Sequence, residues 1–432
     1  MPQARTHARR HVAPLAAAVL FMLGFHAAVV LGEIGGEGVC VASGCSAPGS
    51  FAWTLAGRRA ALFYRSQCNY GDLKTCASND GGATWGPPGD IGGTKPGTAL
   101  LASADGANLW LACAALLSRK TGRAFSARSG EIPLENWELL HSSNAGTTWT
   151  TAWSAREVLT SDSLLLADRD GADFVRRDKS GGLVCMRFTI GKDRPNLRCK
   201  VSEIGQPVSV ARCREGNLAI LGHPASALEK FALAVAPVTG VVTAQAREVP
   251  WLQGHEPLRV AMAASESAIY IMSIEALPAA TGTFASICWT PDAGVTWIGP
   301  RKLQLSSDAT AGTRTARGSP PGRIAQTWDL AVDGDEVVVA GVTEPQKDRP
   351  SLRAFGSSHG GEFSQLAEVP LRLIERLPHG AAQQPLWPRN PHLFLTSSGL
   401  LYASTAGTGS FDAVRVPLPP GGGRSRDRAE RR

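Results

Sequence analysis

The nine cysteines of this chain are the residues whose type and spacing bear most directly on chemistry. Neighbouring thiols either bind a metal or oxidise to disulfides, and their spacing separates the two cases. The chain has no C-x-x-C segment and no Cys/His cluster with zinc spacing, so we predict no metal site and no cofactor. Because the count is odd, at least one thiol stays reduced or bonds to another chain. Three pairs close in the sequence are candidates for disulfides that pin a turn or a hairpin: Cys40 with Cys45, Cys68 with Cys76, and Cys185 with Cys199.

The N-terminal segment indicates the compartment in which these cysteines reside. Three arginines within the first ten residues precede an apolar run from Val12 to Leu31, and Gly32 follows as a small residue near the expected cleavage point. This layout is typical of a secretory signal peptide. The run is also long enough for an uncleaved anchor, but Pro14 and His26 within it favour cleavage. We therefore expect a secreted chain that forms disulfides and has no membrane span after signal cleavage.

Four short stretches repeat the pattern Ser-x-Asp-x-Gly-x-Thr-Trp. Residues 78–85 match it throughout, residues 142–149 have Asn for Asp, residues 290–297 have Thr for Ser, and residues 357–363 are a decayed copy. Each copy predicts a polar turn in which the Ser/Thr and Asx side chains bond the turn's own amides, the Gly adopts a positive φ, and the Trp anchors the next strand. These structural roles fall to Ser78, Asp80, Gly82, Trp85, Ser142, Asn144, Gly146, Trp149, Thr290, Asp292, Gly294 and Trp297.

The spacing of these copies predicts an architecture. Their first residues lie 64 (78 to 142), 148 (142 to 290) and 67 (290 to 357) positions apart, and 148 is twice 74, which suggests one lost copy. Short β-rich runs separated by Gly, Asp, Asn or Pro fill the intervals, and no long stretch has helical periodicity. Similarity repeated at this period, with short strands between, indicates small sheets arranged radially.

The repeated turn resembles the Asp box of the sialidase superfamily, where it joins the third and fourth strands of propeller blades. The resemblance covers about residues 50–418. It implies an all-β β-propeller, but it implies no activity, because Asp boxes belong to the scaffold of propellers with many functions.

Counting the boxes predicts the number of blades. Five box positions, one of them lost, and a last set of strands without a box predict a six-bladed propeller. The strands after His392 are expected to pair with the segment just after the signal and so close the ring. Seven blades are the alternative, because residues 160–255 hold more strands than one blade needs.

The resemblance also says which residues hydrolysis would require. Retaining sialidases hold the sugar carboxylate with three arginines and use a Tyr nucleophile activated by a Glu, with an Asp as acid/base. Residues 254–260 resemble the segment that supplies the family's Glu, which makes Glu256 the candidate for that role. Arg65, Asp72 and Tyr402 are further candidates, although Tyr402 lies in a segment similar to the family's closing strand, which does not carry the nucleophile. Two of the three clamp arginines have no match.

Charge and composition define the remaining parts of the chain. The net charge is +7, but three positive charges lie in residues 1–10 and a net three in residues 424–432, which leaves +1 for residues 11–423. A nearly neutral body lacks the basic footprint that nucleic-acid binding requires. We therefore expect a signal peptide (1–32), an N-terminal segment (33–49), a propeller (50–418) and a basic disordered tail (419–432).

These observations favour a non-catalytic, exported propeller. We expect it to act as a binding, adhesion or scaffolding module for a protein or glycan partner, because a rigid disk presents loops on two faces. An exo-α-sialidase with arginines elsewhere in the sequence is the first alternative. An assembly factor that binds another protein during its folding is the second.

Overall fold

The computed structural model shows an all-β chain folded into seven sheets. It describes residues 39–42, 51–56, 58–65, 73–91, 100–105, 108–115, 136–144, 146–155, 163–192, 194–237, 242–252, 257–276, 283–305, 326–346, 349–370, 389–396, 399–405, 411–416 and 418. Within these ranges the regular structure is 29 strands and two short 3₁₀ turns, Arg214–Gly216 and Pro250–Leu252.

Each sheet is an antiparallel blade whose strands follow one another in sequence. Blade 1 consists of β2 (Phe51–Ala56), β3 (Arg59–Arg65), β4 (Leu73–Ser78) and β5 (Gly89–Asp90). Blade 2 consists of β6 (Leu100–Asp105), β7 (Asn108–Ala115), β8 (Asn136–Ser142) and β9 (Thr150–Ala155). Blade 3 consists of β10 (Leu164–Asp168), β11 (Gly171–Arg177), β12 (Leu183–Thr189) and β13 (Asn196–Val201). Blade 4 consists of β14 (Ile204–Arg212), β15 (Leu218–Pro224), β16 (Ala232–Ala236) and β18 (Ala246–Glu248), and β17 (Val242–Thr243) runs parallel to β13 at the edge of blade 3.

The remaining three blades complete the ring. Blade 5 consists of β19 (Arg259–Ala264), β20 (Ile269–Ala276), β21 (Thr283–Thr290) and β22 (Ile298–Gln304), and blade 6 of β23 (Asp329–Asp333), β24 (Glu336–Gln346), β25 (Arg349–Ser358) and β26 (Ser364–Pro370). Blade 7 consists of β27 (Arg389–Thr396), β28 (Gly399–Thr405), β29 (Phe411–Val416) and, as its outer strand, β1 (Val39–Ala42). The pairing of β1 with β29 confirms the predicted closure of the C-terminal strands by a segment near the N-terminus.

The core lies between the blades. Seven separate clusters of buried apolar side chains occur in the described ranges, one between each pair of neighbouring blades, including the pair formed by blades 7 and 1. The second strands are buried on both sides because a neighbouring blade covers each face. In β20, for example, Ile271 packs toward blade 4 and Met272 toward blade 6. This packing explains the nearly continuous apolar runs in the sequence.

The propeller therefore has seven blades, which confirms the alternative drawn from the extra strands in residues 160–255; the main prediction of six was wrong. The interval of 148 residues between the second and third complete boxes holds two blades without a box, not one. Short turns connect the strands of blades 3 and 4, so this interval uses fewer residues for each blade than the other intervals do. Dividing it by the spacing of the other boxes therefore gives too few blades. Blade 7 has no turn between third and fourth strands because these strands come from opposite ends of the chain.

The antiparallel order of the strands defines two faces. Turns between first and second strands and between third and fourth strands lie on one face, which we call the box face. Turns between second and third strands and the connections between blades lie on the other, which we call the loop face. The first strands of successive blades pack side by side around the centre.

Candidate functional site

The first box turn is held together by its own side chains. Ser78 Oγ donates to Asp80 Oδ1 at 2.7 Å and accepts from the Gly82 amide at 2.8 Å. Asp80 also accepts from the Thr84 amide at 2.9 Å and from Thr84 Oγ1 at 2.6 Å, and Trp85 Nε1 donates to the Gly82 carbonyl at 3.1 Å. Burial alone would raise the pKa of Asp80, but the bonds from Thr84 and Ser78 lower it to about 2.

The second and third boxes repeat this geometry with the substituted residues. In the second, Asn144 Oδ1 accepts from the Thr148 amide at 2.9 Å while its Nδ2 donates to Thr148 Oγ1 at 2.9 Å. In the third, Thr290 Oγ1 accepts from the Gly294 amide at 2.7 Å, and Thr296 donates to Asp292 from both its amide and its hydroxyl. The central glycines Gly82, Gly146 and Gly294 have φ values of 89°, 87° and 86°, which a side chain would strain.

The decayed fourth copy is displaced by one residue from the register that the sequence predicts. His359 and Gly360, with φ values of 54° and 69°, occupy the two positive-φ positions that Gly81 and Gly82 occupy in the first turn. The His359 amide donates to the Asp335 carbonyl at 2.7 Å, just as the Gly81 amide donates to the Arg58 carbonyl. Ser358 thus takes the place of the Asp, which aligns Phe363 with the anchoring Trp.

A cluster of three arginines and two aspartates lies on the box face in blade 3, which has no box. Asp173 Oδ2 accepts from Arg187 Nη1 at 3.1 Å, Arg198 Nη1 at 2.5 Å and Arg212 Nη2 at 2.6 Å. Arg187 also pairs with Asp168, and Arg212 Nη2 lies 2.7 Å from Asp168 Oδ2. Burial alone would raise the pKa of Asp168, but these two guanidinium groups lower it.

The sequence analysis missed this cluster because its members come from five strands. The Asp173 side chain is fully buried and that of Arg198 is 4% exposed. Arg198 also donates to the carbonyls of Gly216 and Pro237, both in blade 4, so the cluster joins blades 3 and 4. Its three arginines converge on two of the chain's own carboxylates, which compensate two of the three positive charges. They therefore do not form a free clamp for the carboxylate of a substrate.

A second polar group lies at the loop-face ends of the first strands of blades 5 to 7. Arg259 Nη2 lies 3.4 Å from Asp329 Oδ1 and 3.4 Å from the Pro391 carbonyl, and Asp329 Oδ2 accepts from the Leu393 amide at 3.0 Å. Burial lowers the pKa of the neighbouring His392, so the imidazole is neutral at pH 7. Arg259 is paired with Asp329 and joins three blades.

Tyr402 lies inside the core between blades 6 and 7. Its side chain is 1% exposed, and its hydroxyl donates to the Thr327 carbonyl at 2.8 Å. Burial raises the pKa of this phenol far above its ordinary value. A neutral phenol that is bonded to the backbone within the core has no access to a substrate.

The other predicted sialidase residues are described in part or not at all. Glu256 and Asp72 lie outside the described residues, and Arg65 is placed only as the last residue of β3. The catalytic role of Glu256 remains an expectation from the sequence.

An open cleft of about 530 Å³ lies between blades 4 and 5 on the loop face. Its lining is mostly apolar and consists of Val208, His223, Leu228, Glu229, Phe231, Pro257 and Val260. Leu228 is 65% exposed, and Leu258 beside the cleft is 37% exposed. His223 Nδ1 lies 3.0 Å from the Lys230 carbonyl and its ring packs on Phe231. The cleft thus combines a fixed apolar wall with a projecting leucine.

The predicted cysteine pairs differ in what the structure describes. Cys185 and Cys199 face each other across β12 and β13 as thiols, and both are buried. Cys76 lies buried in β4, whereas its predicted partner Cys68 is outside the described residues. Cys40 is placed in β1 by its backbone, and Cys45 is also outside. The three disulfides stay predictions.

The described residues contain no group of three or more His, Cys, Asp or Glu side chains placed to hold a metal ion. Among the same residues, no helix has the length and hydropathy needed to cross a membrane.

Comparisons with solved structures agree with the propeller fold. YCF48 bound to D1 peptide is similar with a TM-score of 0.50 and 12% identity, over 89% of this chain and 98% of that one. The phage phi92 endosialidase has a TM-score of 0.44 and 9% identity over 91% and 70% of the two chains, and the SapL1 lectin in complex with alpha methyl fucoside has 0.41 and 10% over 75% and 97%. No family model matches this sequence, and no curated protein does. At 12% identity, the likeness to the YCF48 structure is one of fold alone.

Proposed function

We propose that this chain is an exported, non-catalytic propeller that binds a protein partner through the cleft between blades 4 and 5. The observation that carries the proposal is the apolar lining of this cleft together with the exposed side chain of Leu228 on its rim. An exposed leucine beside a preformed apolar wall gains free energy when a partner's apolar side chain covers both.

The chemistry of the cleft favours a peptide segment over a sugar. Sugars are commonly held by polar groups and exposed aromatic faces, but the ten described tryptophans are all buried or half-buried and pack within the blades. Glu229 is exposed at the rim, and no cation within the described ranges pairs with it. The adjacent Lys230 pairs with Glu248 instead. The cleft therefore suits an apolar stretch next to a lysine or arginine.

The arginines argue against hydrolysis as the function. Those that converge in the described residues, Arg187, Arg198 and Arg212, are paired with Asp168 and Asp173, and Arg259 is paired with Asp329. A sugar carboxylate would have to displace these buried ion pairs, and doing so would leave the aspartates uncompensated.

The binding proposal is tested by panning a random peptide library on the mature chain. We expect enrichment of peptides with an apolar segment flanked by a basic residue. Leu228→Asp should weaken their binding at least tenfold because it places a charge in the apolar contact. Val295→Asp is the matched control, since Val295 is a 61% exposed apolar residue on the box face. Equal binding by both variants would exclude this cleft, and enrichment on a glycan array alone would favour the sugar alternative.

The same protein tests the enzyme alternative. We expect no release of α-linked sialic acid from a fluorogenic substrate above the buffer rate, because catalysis needs fixed cations around the substrate carboxylate. Turnover that is lost in the Glu256→Gln variant would establish the sialidase instead.

A further inference from the structure

Two buried thiols of blade 3 face each other. Cys185 in β12 and Cys199 in β13 are paired opposite each other in the antiparallel register, and each is 0% exposed. Directly opposed residues on neighbouring antiparallel strands lie within the separation that a disulfide spans.

A β-bulge next to this pair connects the two cysteines to the arginine–aspartate cluster. The register passes from Cys185 opposite Cys199 to Met186 opposite Leu197, so Arg198 is an extra residue on β13. As a result two consecutive side chains, Arg198 and Cys199, are buried, whereas Leu197 is 37% exposed. The bulge thus directs Arg198 to Asp173 while Cys199 keeps its place opposite Cys185.

We propose that Cys185 and Cys199 form an intrachain disulfide in the exported protein and that this bond holds the bulge that aims Arg198 at Asp173. Blade 3 has no box turn, so the bond would replace the missing turn as the link between its third and fourth strands. The presence of the bond in cells rests on the export in the proposed function, but the ability of the pair to form it does not.

The chemistry is thiol–disulfide exchange with a disulfide oxidant such as oxidised glutathione or an oxidoreductase of the exporting compartment. One cysteine thiolate attacks the oxidant to give a mixed disulfide and releases one thiol. The second cysteine displaces the other half as a second thiol. The chain loses two electrons and two protons, and the oxidant is reduced to two thiols.

Burial sets the time at which this exchange occurs. Both thiols are fully buried in the folded blade, so a disulfide oxidant has no access to either sulfur there. Exchange therefore belongs to the folding chain, before blade 4 covers the pair. Once formed, the bond is protected from reductants by the same burial.

The first test is a peptide map under non-reducing conditions, with thiols alkylated during denaturation. Protein refolded from the reduced state in glutathione redox buffer and protein purified from the exporting cell are compared. We expect the Cys185–Cys199 link in both samples, with Cys213 and Cys288 as buried controls recovered alkylated. Alkylated Cys185 and Cys199 in the refolded sample would overturn the proposal. If the link forms in the refolded sample but is absent from protein purified from the exporting cell, the proposed export is wrong. The cleft between blades 4 and 5 is then still tested separately by the peptide panning.

The second test measures what the bond does. Wild type refolded from the denatured, reduced state with reductant present should melt several degrees below wild type refolded in glutathione redox buffer, because the reduced unfolded chain regains entropy. The Cys185→Ala/Cys199→Ala variant should show a smaller difference between the two conditions, because only the other predicted disulfides remain in it, whereas Cys213→Ala should show the wild-type difference. An equal difference in wild type and in the double variant would show that the bond does not hold the blade.

Discussion

At the residue scale, the box turns show how few side chains are needed to define a corner. Ser78 and Asp80 accept the amides of Gly82 and Thr84, and the Thr84 hydroxyl donates to Asp80, so no partner from another blade is required for these bonds. The second box does the same with an amide in place of the carboxylate. The chain therefore has a carboxylate and an amide at the same position of two equivalent turns, and the contribution of the charge can be compared between them.

The aspartate of the first box should make stability depend on pH. Asp80 has a folded pKa of about 2 against an ordinary value of 3.8, so its stabilisation is complete above pH 4 and is lost as pH falls through 2. Urea midpoints of wild type and Asp80→Asn should therefore converge between pH 4 and pH 2. A constant difference across this window would contradict the assignment.

The same position tests the hydrogen bonds themselves. Asp80→Ala should lower the free energy of unfolding by about 1–2 kcal/mol because it removes the acceptors of two bonds from Thr84. Asp80→Asn should lose less, since Asn144 makes equivalent bonds to Thr148. Urea melts at pH 7 compare the two variants, and an equal loss in both would show that charge, not hydrogen bonding, holds the turn.

At the element scale, the Trp of each box anchors its blade to other strands. Trp85 is 7% exposed and packs edge-on against Trp53, with ring centroids 5.7 Å apart, and Trp149 packs similarly against Phe63. Trp85→Ala and Trp149→Ala should each reduce the free energy of unfolding by about 3–5 kcal/mol, with the half-buried Trp149 at the lower end. Losses under about 1 kcal/mol for both in denaturant melts would mean that the boxes do not hold the corners.

The arginine–aspartate cluster anchors blade 3 to blade 4, as the box tryptophans anchor their blades to other strands. Asp173→Ala should cost about 3–5 kcal/mol in denaturant melts, because it leaves the buried guanidinium group of Arg198 uncompensated. The matched control is Glu215→Gln, since Glu215 pairs with Arg214 at 3.5 Å in full solvent exposure and should change little. If Asp173→Ala behaves like this control, the cluster does not stabilise the junction.

At the scale of the whole molecule, the ring depends on one short strand from the other end of the chain. β1 covers the edge of β29 and completes blade 7. A chain that starts at residue 44 should therefore melt at a lower denaturant midpoint and aggregate more readily than one that starts at residue 34, because the β29 edge is exposed. Hydrogen exchange of the β29 amides gives a direct readout. Equal protection in the two chains would show that β1 does not close the ring.

What the sequence determined by itself about this protein is the part built from local contacts. The box turns and the β-propeller class follow from patterns within a few residues and from their repetition, and the closure by the N-terminal segment was predicted because a ring of blades must be closed. Hydrogen bonds from the Gly82 amide to Ser78 and from the Thr84 amide to Asp80 span four positions, so a short motif specifies them.

Tertiary structure alone decided the features that depend on contacts between distant segments. Seven blades instead of six, the shifted fourth turn, the cleft between blades 4 and 5 and the junction at Asp173 all arise from packing across blades. Asp168 and Arg212 are 44 positions apart along the chain, yet lie within 2.7 Å. No local pattern encodes such a contact, because the free energy that selects it comes from burying the two blades against each other.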